Sequence, residues 1–150
     1  VAIFLLRTGA RLDELLCLKW ACVDFIGNCF RIEGSFSSSR KKQKGLDVPM
    51  DSDVRVICQR LRGQVTGQQG YVFCGEGGGR LDRNQLVEEF GHCARKQGIN
   101  KASIFPIIRN TFARDMVKKG VSLVDLYRLM GYSDIARVVR HAGFVRRKMV

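Results

Sequence analysis

The segment Thr8-Gly9-Ala10-Arg11-Leu12-Asp13-Glu14-Leu15-Leu16-Cys17-Leu18-Lys19-Trp20 contains a helix stop, a helix start and an arginine between them. Thr8-Gly9 ends the helical run Ala2 to Arg7, because glycine readily takes the left-handed backbone that closes a helix. A second helix is expected from about Arg11 to Trp20, with Leu12, Leu15, Leu16 and Cys17 as its apolar stripe. Asp13 and Glu14 fall in its first turn, where the helix dipole favours acids. Arg11 opens that helix, so its guanidinium lies near backbone N–H groups, in a place suited to an anion. The same position equally suits a salt bridge to Asp13, Glu14 or Asp115.

Beyond this segment the period changes. Asn28 to Glu33 alternates in a strand-like way, Ser35 to Ser38 is a candidate partner for it, and Leu46-Asp47-Val48-Pro49 reads as a third short strand ending at proline. The helical pattern returns from Asp51, with Val54, Ile57, Cys58 and Leu61 on one face, and runs out at Gly63. Tyr71-Val72-Phe73 is a short extended piece before the Gly75 to Gly79 loop. Further helices are expected over Arg83 to Gln97, over Ile104 to Lys119, and from Ser122 to Gly131, where Ser122 and Asp125 form a capping-box variant. Ser133-Asp134 caps a last one through roughly His141. The fold class is mainly α with a small three-stranded antiparallel β-sheet, in a single domain over residues 1–150.

Lys and Arg number 26 against 14 acidic residues, a formal charge of +12. An excess that large in a small folded domain points to a polyanionic partner, with nucleic acid the default. The six cysteines include no Cys-x-x-Cys pair, and His92 and His141 are the two histidines, so there is no zinc-ligand spacing. Cysteines in apolar surroundings act as small hydrophobes and fit a reducing, intracellular setting. No apolar run approaches a membrane span. The opening Val1-Ala2-Ile3-Phe4-Leu5-Leu6 starts as if mid-helix, and a fragment truncated at its N-terminus is expected.

Two further basic features stand out. Arg40, Lys41, Lys42 and Lys44 put four cations within five residues of a turn, able to reach a DNA backbone or to stand solvated. Arg109 sits in an otherwise apolar helix between Ile107-Ile108 and Phe112. It needs a partner there, either an internal acid or a bound anion, because an unpaired buried charge is costly.

Taken together these motifs resemble the tyrosine recombinase (phage integrase) catalytic domain. Thr8 to Trp20 with Asp24 is similar to the first arginine box, T-G-x-R-x-x-E-L-x-x-L-x-W-x-x-[IV]-D. Lys41 and Lys44 before Val48-Pro49 resemble the family's hairpin K-x-x-K-x-x-x-V-P, and Tyr71-Val72-Phe73 its Y-V-F segment. Ile108-Arg109-Asn110-Thr111-Phe112-Ala113 resembles the second box, L-R-H-T-F-A. Gly120-Val121 and Leu129-Met130-Gly131-Tyr132-Ser133-Asp134-Ile135 resemble G-[VA]…L-L-G-H-S-x-[IL]. The resemblance covers nearly the whole chain.

It implies strand cleavage and rejoining on double-stranded DNA through a covalent protein–DNA intermediate. Arg11 and Arg109 would hold the non-bridging oxygens of the scissile phosphate, and Lys41 would protonate the departing 5′ oxygen. Lys42 and Lys44 are close enough that the assignment within the turn stays open. Arg40, Lys42, Lys44, Arg140, Arg146 and Arg147 are candidate DNA-backbone contacts. The resemblance further implies no metal or cofactor, a tetramer on paired sites for the full-length protein, an N-terminal DNA-binding domain that this chain lacks, and a cytoplasmic, nucleoid-associated setting.

Three positions depart from the pattern. Pro106 stands where H-x-x-R has histidine, and proline has no proton to transfer. Tyr132 stands where L-G-H is usual, and its hydroxyl is a candidate donor to a phosphate oxygen. His141 stands where the nucleophilic tyrosine is expected. Three readings follow: a degenerate member that binds DNA without cutting it, attack by another residue such as Tyr132, or attack by His141 itself to give a phosphoramidate.

Overall fold

A computed structural model describes residues 1–33, 45–64, 70–75 and 77–131. The first helix, α1 (Ala2–Thr8), ends at Gly9 with φ 63°, whose N–H donates to Leu5 O at 2.9 Å. Thr8 is buried and locks the corner, donating Oγ1–H to Phe4 O at 2.7 Å and accepting from Ala10 N–H. The Thr8-Gly9 pair is therefore a helix terminator, as its residue types require.

Helix α2 (Leu12–Leu16) is shorter than the Arg11 to Trp20 reading. The apolar stripe is real, since Leu12, Leu15 and Leu16 are all buried, but the backbone leaves the helix after Cys17. Leu18 O accepts from Val72 N–H at 2.8 Å, and Trp20 N–H donates to Gly70 O at 3.1 Å. Pairing with the Tyr71-Val72-Phe73 segment thus takes the last residues expected to be helical. Trp20–Cys22 forms a 3₁₀ turn instead.

Three antiparallel strands follow in the order β1 (Val23–Asp24), β2 (Cys29–Ile32) and β3 (Leu46–Pro49). Among the described residues the sheet has three strands, as the sequence reading expects, and one of them, Val23–Asp24, is a segment that reading did not assign to a strand. Phe30 of β2 pairs with Val23 on one side and Val48 on the other, so Val23–Asp24 supplies the third strand. The proposed Ser35 to Ser38 strand, the basic turn at 40–44 and the last helix from Ser133 lie outside the described residues.

Helix α3 (Ser52–Arg62) is capped by Asp51, whose Oδ1 accepts from Val54 N–H at 2.9 Å. Helices α4 (Arg83–Arg95), α5 (Ile104–Lys118) and α6 (Leu123–Leu129) complete the described chain. The main core joins α1, the sheet and α3 through Phe4, Leu15, Trp20, Phe30, Val54 and Phe73. Phe4 anchors it, with Phe30 and Phe73 each 5.1 Å away between ring centroids, a separation suited to tilted and edge packing. A smaller cluster of Phe112, Ala113, Leu126 and Met130 fastens α6 to α5. No helix among the described residues is long and apolar enough to cross a membrane.

Candidate active site

The site begins at Gly9. A Cβ built there would lie 2.3 Å from the Phe112 ring, so the absent side chain lets α5 press against the α1–α2 corner. That contact brings Arg109, one turn before Phe112, up to the corner. Its Nη1 donates to Gly9 O at 2.5 Å, and its Nη2 donates to Met130 O at the end of α6. Backbone carbonyls from two separate elements thus hold this half-buried guanidinium.

Arg11 approaches the same place from α2. Glu14 accepts from the Arg11 backbone N–H at 2.7 Å and from its Nη1 at 2.6 Å. The salt-bridge reading of Arg11 therefore holds, with Glu14 as the acid. Glu14 reaching back to the residue before the helix is the acidic half of a capping box. A guanidinium cannot accept hydrogen bonds, so Arg11 does not complete the box. The Nη2 of Arg11 donates to Gly131 O at 3.0 Å. With only five residues in α2, the helix dipole is a minor term; the guanidinium groups themselves make this place attractive to an anion.

Arg11 and Arg109 line one cleft of about 330 Å³, together with Ala10, Arg83, Pro106 and Asn110. Both also line a recess of about 50 Å³ beside Met130 and Gly131. The charged lining of the larger cleft is Arg11, Arg83 and Arg109 against Asp13, a positive balance. Two guanidinium groups held by carbonyl dipoles and one carboxylate suit a tetrahedral anion, which accepts paired N–H donors with better geometry than it would from ammonium groups.

Pro106 sits in the first turn of α5, where its missing N–H costs no hydrogen bond. It forms part of the cleft wall and supplies no proton-transfer group. Asn110, one turn further on, brings an amide to the same wall. Sequence reasoning passed over Arg83 and the acceptors Gly9 O, Met130 O and Gly131 O. Backbone acceptors leave no trace in residue identity, whereas Glu14 was among the acids the sequence offered as a partner for Arg11. Lys41, Tyr132 and His141, with Arg40, Lys42, Lys44, Arg140, Arg146 and Arg147, lie outside the described residues. Among the described residues no group of His, Cys, Asp and Glu is arranged to hold a metal ion.

The described chain is a mainly helical domain with a three-stranded antiparallel sheet that presents two arginines in one positively lined cleft. The chain belongs to the phage integrase family, whose model matches residues 1–142. A tyrosine recombinase XerC-like protein of Caldanaerobacter subterraneus subsp. tengcongensis is 26% identical over 168 residues, covering 90% of this chain and 43% of that protein. Tyrosine recombinase XerC of Xanthomonas axonopodis pv. citri is 26% identical over 140 residues, covering 91% of this chain and 44% of its own length. The chain thus spans less than half the length of these relatives. Among solved structures, XerA recombinase superposes with a TM-score of 0.76 at 23% identity, over 99% of this chain and 54% of that one. The Tn1549 transposon integrase, in complex with circular intermediate DNA, gives 0.77 at 20% identity over 93% and 53%. These likenesses establish a shared fold.

Proposed function

We propose that this chain is the catalytic domain of a site-specific recombinase or integrase, cutting one strand of duplex DNA through a covalent protein–DNA bond and rejoining it. The observation that carries this reading is the convergence of Arg11 and Arg109 on one cleft. Family membership and the net charge of +12 support it.

In the proposed reaction the two guanidinium groups hold the non-bridging oxygens of the scissile phosphate. Charge that builds on those oxygens during attack is stabilised by donors already in position. A side-chain nucleophile forms a bond to phosphorus as the bond to the 5′ oxygen breaks, and Lys41 gives that oxygen its proton. The protein–phosphate link conserves the bond energy, so an incoming 5′ hydroxyl reverses the step without an external energy source. His141 at the attacking position would give a phosphoramidate, and Tyr132 a phosphotyrosine; if it does not attack, Tyr132 is a hydrogen-bond donor to the phosphate. The basic turn at 40–44 and Arg140, Arg146 and Arg147 add contacts to flanking phosphates. These are sequence-independent, so the isolated chain binds with little sequence preference. Assembly as a tetramer on paired sites belongs to the same proposal.

A nicked suicide duplex tests the cleavage step, since loss of a short strand prevents rejoining and traps the adduct. The expected outcome is a covalent protein–DNA product, with peptide mapping placing the link at His141 or Tyr132. Arg109→Lys is expected to slow its formation by about 100-fold or more, the usual cost of losing one positioned donor. Salt-sensitive binding with no adduct would contradict cleavage and leave a DNA-binding module that keeps the phosphate clamp.

A further inference from the structure

Arg83 is the cation lining the larger cleft that the clamp does not use. It is the first residue of α4, and its backbone is fixed by the Asp82 cap, whose Oδ1 accepts from Gln85 N–H at 2.7 Å. Its side chain reaches across to α2, where Nε donates to Asp13 Oδ1 at 3.0 Å. Asp13 stands two residues after Arg11, so Arg83 is tethered to the same short element that carries the first clamp arginine.

The ion pair is open to solvent, with 51% of the Arg83 side chain and 44% of the Asp13 side chain exposed. Exposed pairs of this kind contribute about 0–1 kcal/mol to stability, which is little reason to hold an arginine at the lip of a positive cleft. The geometry of the bond matters more. It runs through Nε, and the guanidinium fork carries its other donors on the two Nη groups at the far end. A strand of duplex DNA presents a phosphate about every 3.4 Å of helix axis. A cleft that seats one backbone phosphate therefore meets the neighbouring ones at its rim.

We infer that Arg83 contacts a backbone phosphate adjacent to the one held by Arg11 and Arg109, through the Nη groups at the far end from its Asp13 bond. The inference rests on the proposal that this cleft receives DNA. Asp13 engages only Nε and brings a negative charge close to the phosphates. Phosphate contact and a purely structural tie thus differ in what they predict for the two partners.

The test is a salt titration of binding to a duplex of scrambled sequence, between about 50 and 200 mM salt. Arg83→Gln is expected to weaken binding about three- to tenfold and to lower the slope of log affinity against log salt by about one. Arg83→Lys keeps the unit charge and is expected to keep the slope. Asp13→Ala removes a repulsive charge and is expected to bind at least as tightly as the unsubstituted chain. If Arg83→Gln leaves the slope unchanged while Arg109→Ala weakens binding, the inference fails and the DNA reading survives. If Arg83→Gln and Asp13→Ala weaken binding alike, Arg83 is a tie between α2 and α4 and the inference fails. Absence of salt-sensitive binding by the unsubstituted chain overturns both.

Discussion

Gly9 meets two demands that no other residue type meets together. Its φ of 63° lies in the left-handed region, where a side chain is strained, and the space a Cβ would fill belongs to the Phe112 ring. Its carbonyl is also one that holds Arg109. Substitution therefore acts on stability and on the clamp at once. Gly9→Ala is expected to cost about 2–4 kcal/mol, the sum of backbone strain and overpacking, read as a lower urea midpoint with an unchanged slope. A loss below about 0.5 kcal/mol, the usual range for a neutral surface change, would contradict the close approach of α5 to this corner. Arg11 and Arg109 show the complementary economy. Arg109 is held by carbonyls at the ends of α1 and α6, and Arg11 by Glu14 of α2 and by Gly131 after α6. The positions of these helices are therefore read out in two guanidinium orientations.

Helix α3 was largely legible from its sequence: it runs between the expected Asp51 and Gly63, with Val54 and Cys58 buried and Ile57 and Leu61 half-buried on the expected face. Burial pushes the Cys58 thiol up to about 11. A raised acid pKa favours the neutral form in the folded state, so the contribution is fully present below the ordinary thiol range. It is lost as pH rises from there through about 11, because the unfolded chain ionises first. The expected alkaline loss is about 2–3 kcal/mol. Denaturant unfolding across that window checks it: Cys58→Ala is expected to start less stable and to lack this step, and an identical alkaline fall in both proteins would contradict the account. Elements governed by local rules, such as helix stops at glycine and the Ser122 cap, were readable in this way. Elements decided by distant pairing were not. Trp20 left its expected helix because Gly70 and Val72 offered backbone partners, and Val23–Asp24 is too short a strand to show alternation. The same holds within the site. Arg11 and Arg109 were identifiable as candidates, yet nothing in their spacing revealed that carbonyls of Gly9, Met130 and Gly131 would gather them.

Among the described residues, two apolar clusters divide the work. The larger one fixes α1, the sheet and α3 around Phe4, and the smaller one sets α6 on α5. Arg109 bridges them, bonded to Gly9 at the edge of the first and to Met130 within the second. The recess beside Met130 and Gly131 is thus built where the two packing units meet, and it shares Arg11 and Arg109 with the larger cleft. The most direct test is a crystal structure of the chain bound to a short DNA duplex. The account predicts one backbone phosphate with its non-bridging oxygens about 2.7–2.9 Å from guanidinium nitrogens of both Arg11 and Arg109, the usual charge-assisted distance. A duplex seated elsewhere, with no phosphate reaching either arginine, would contradict it.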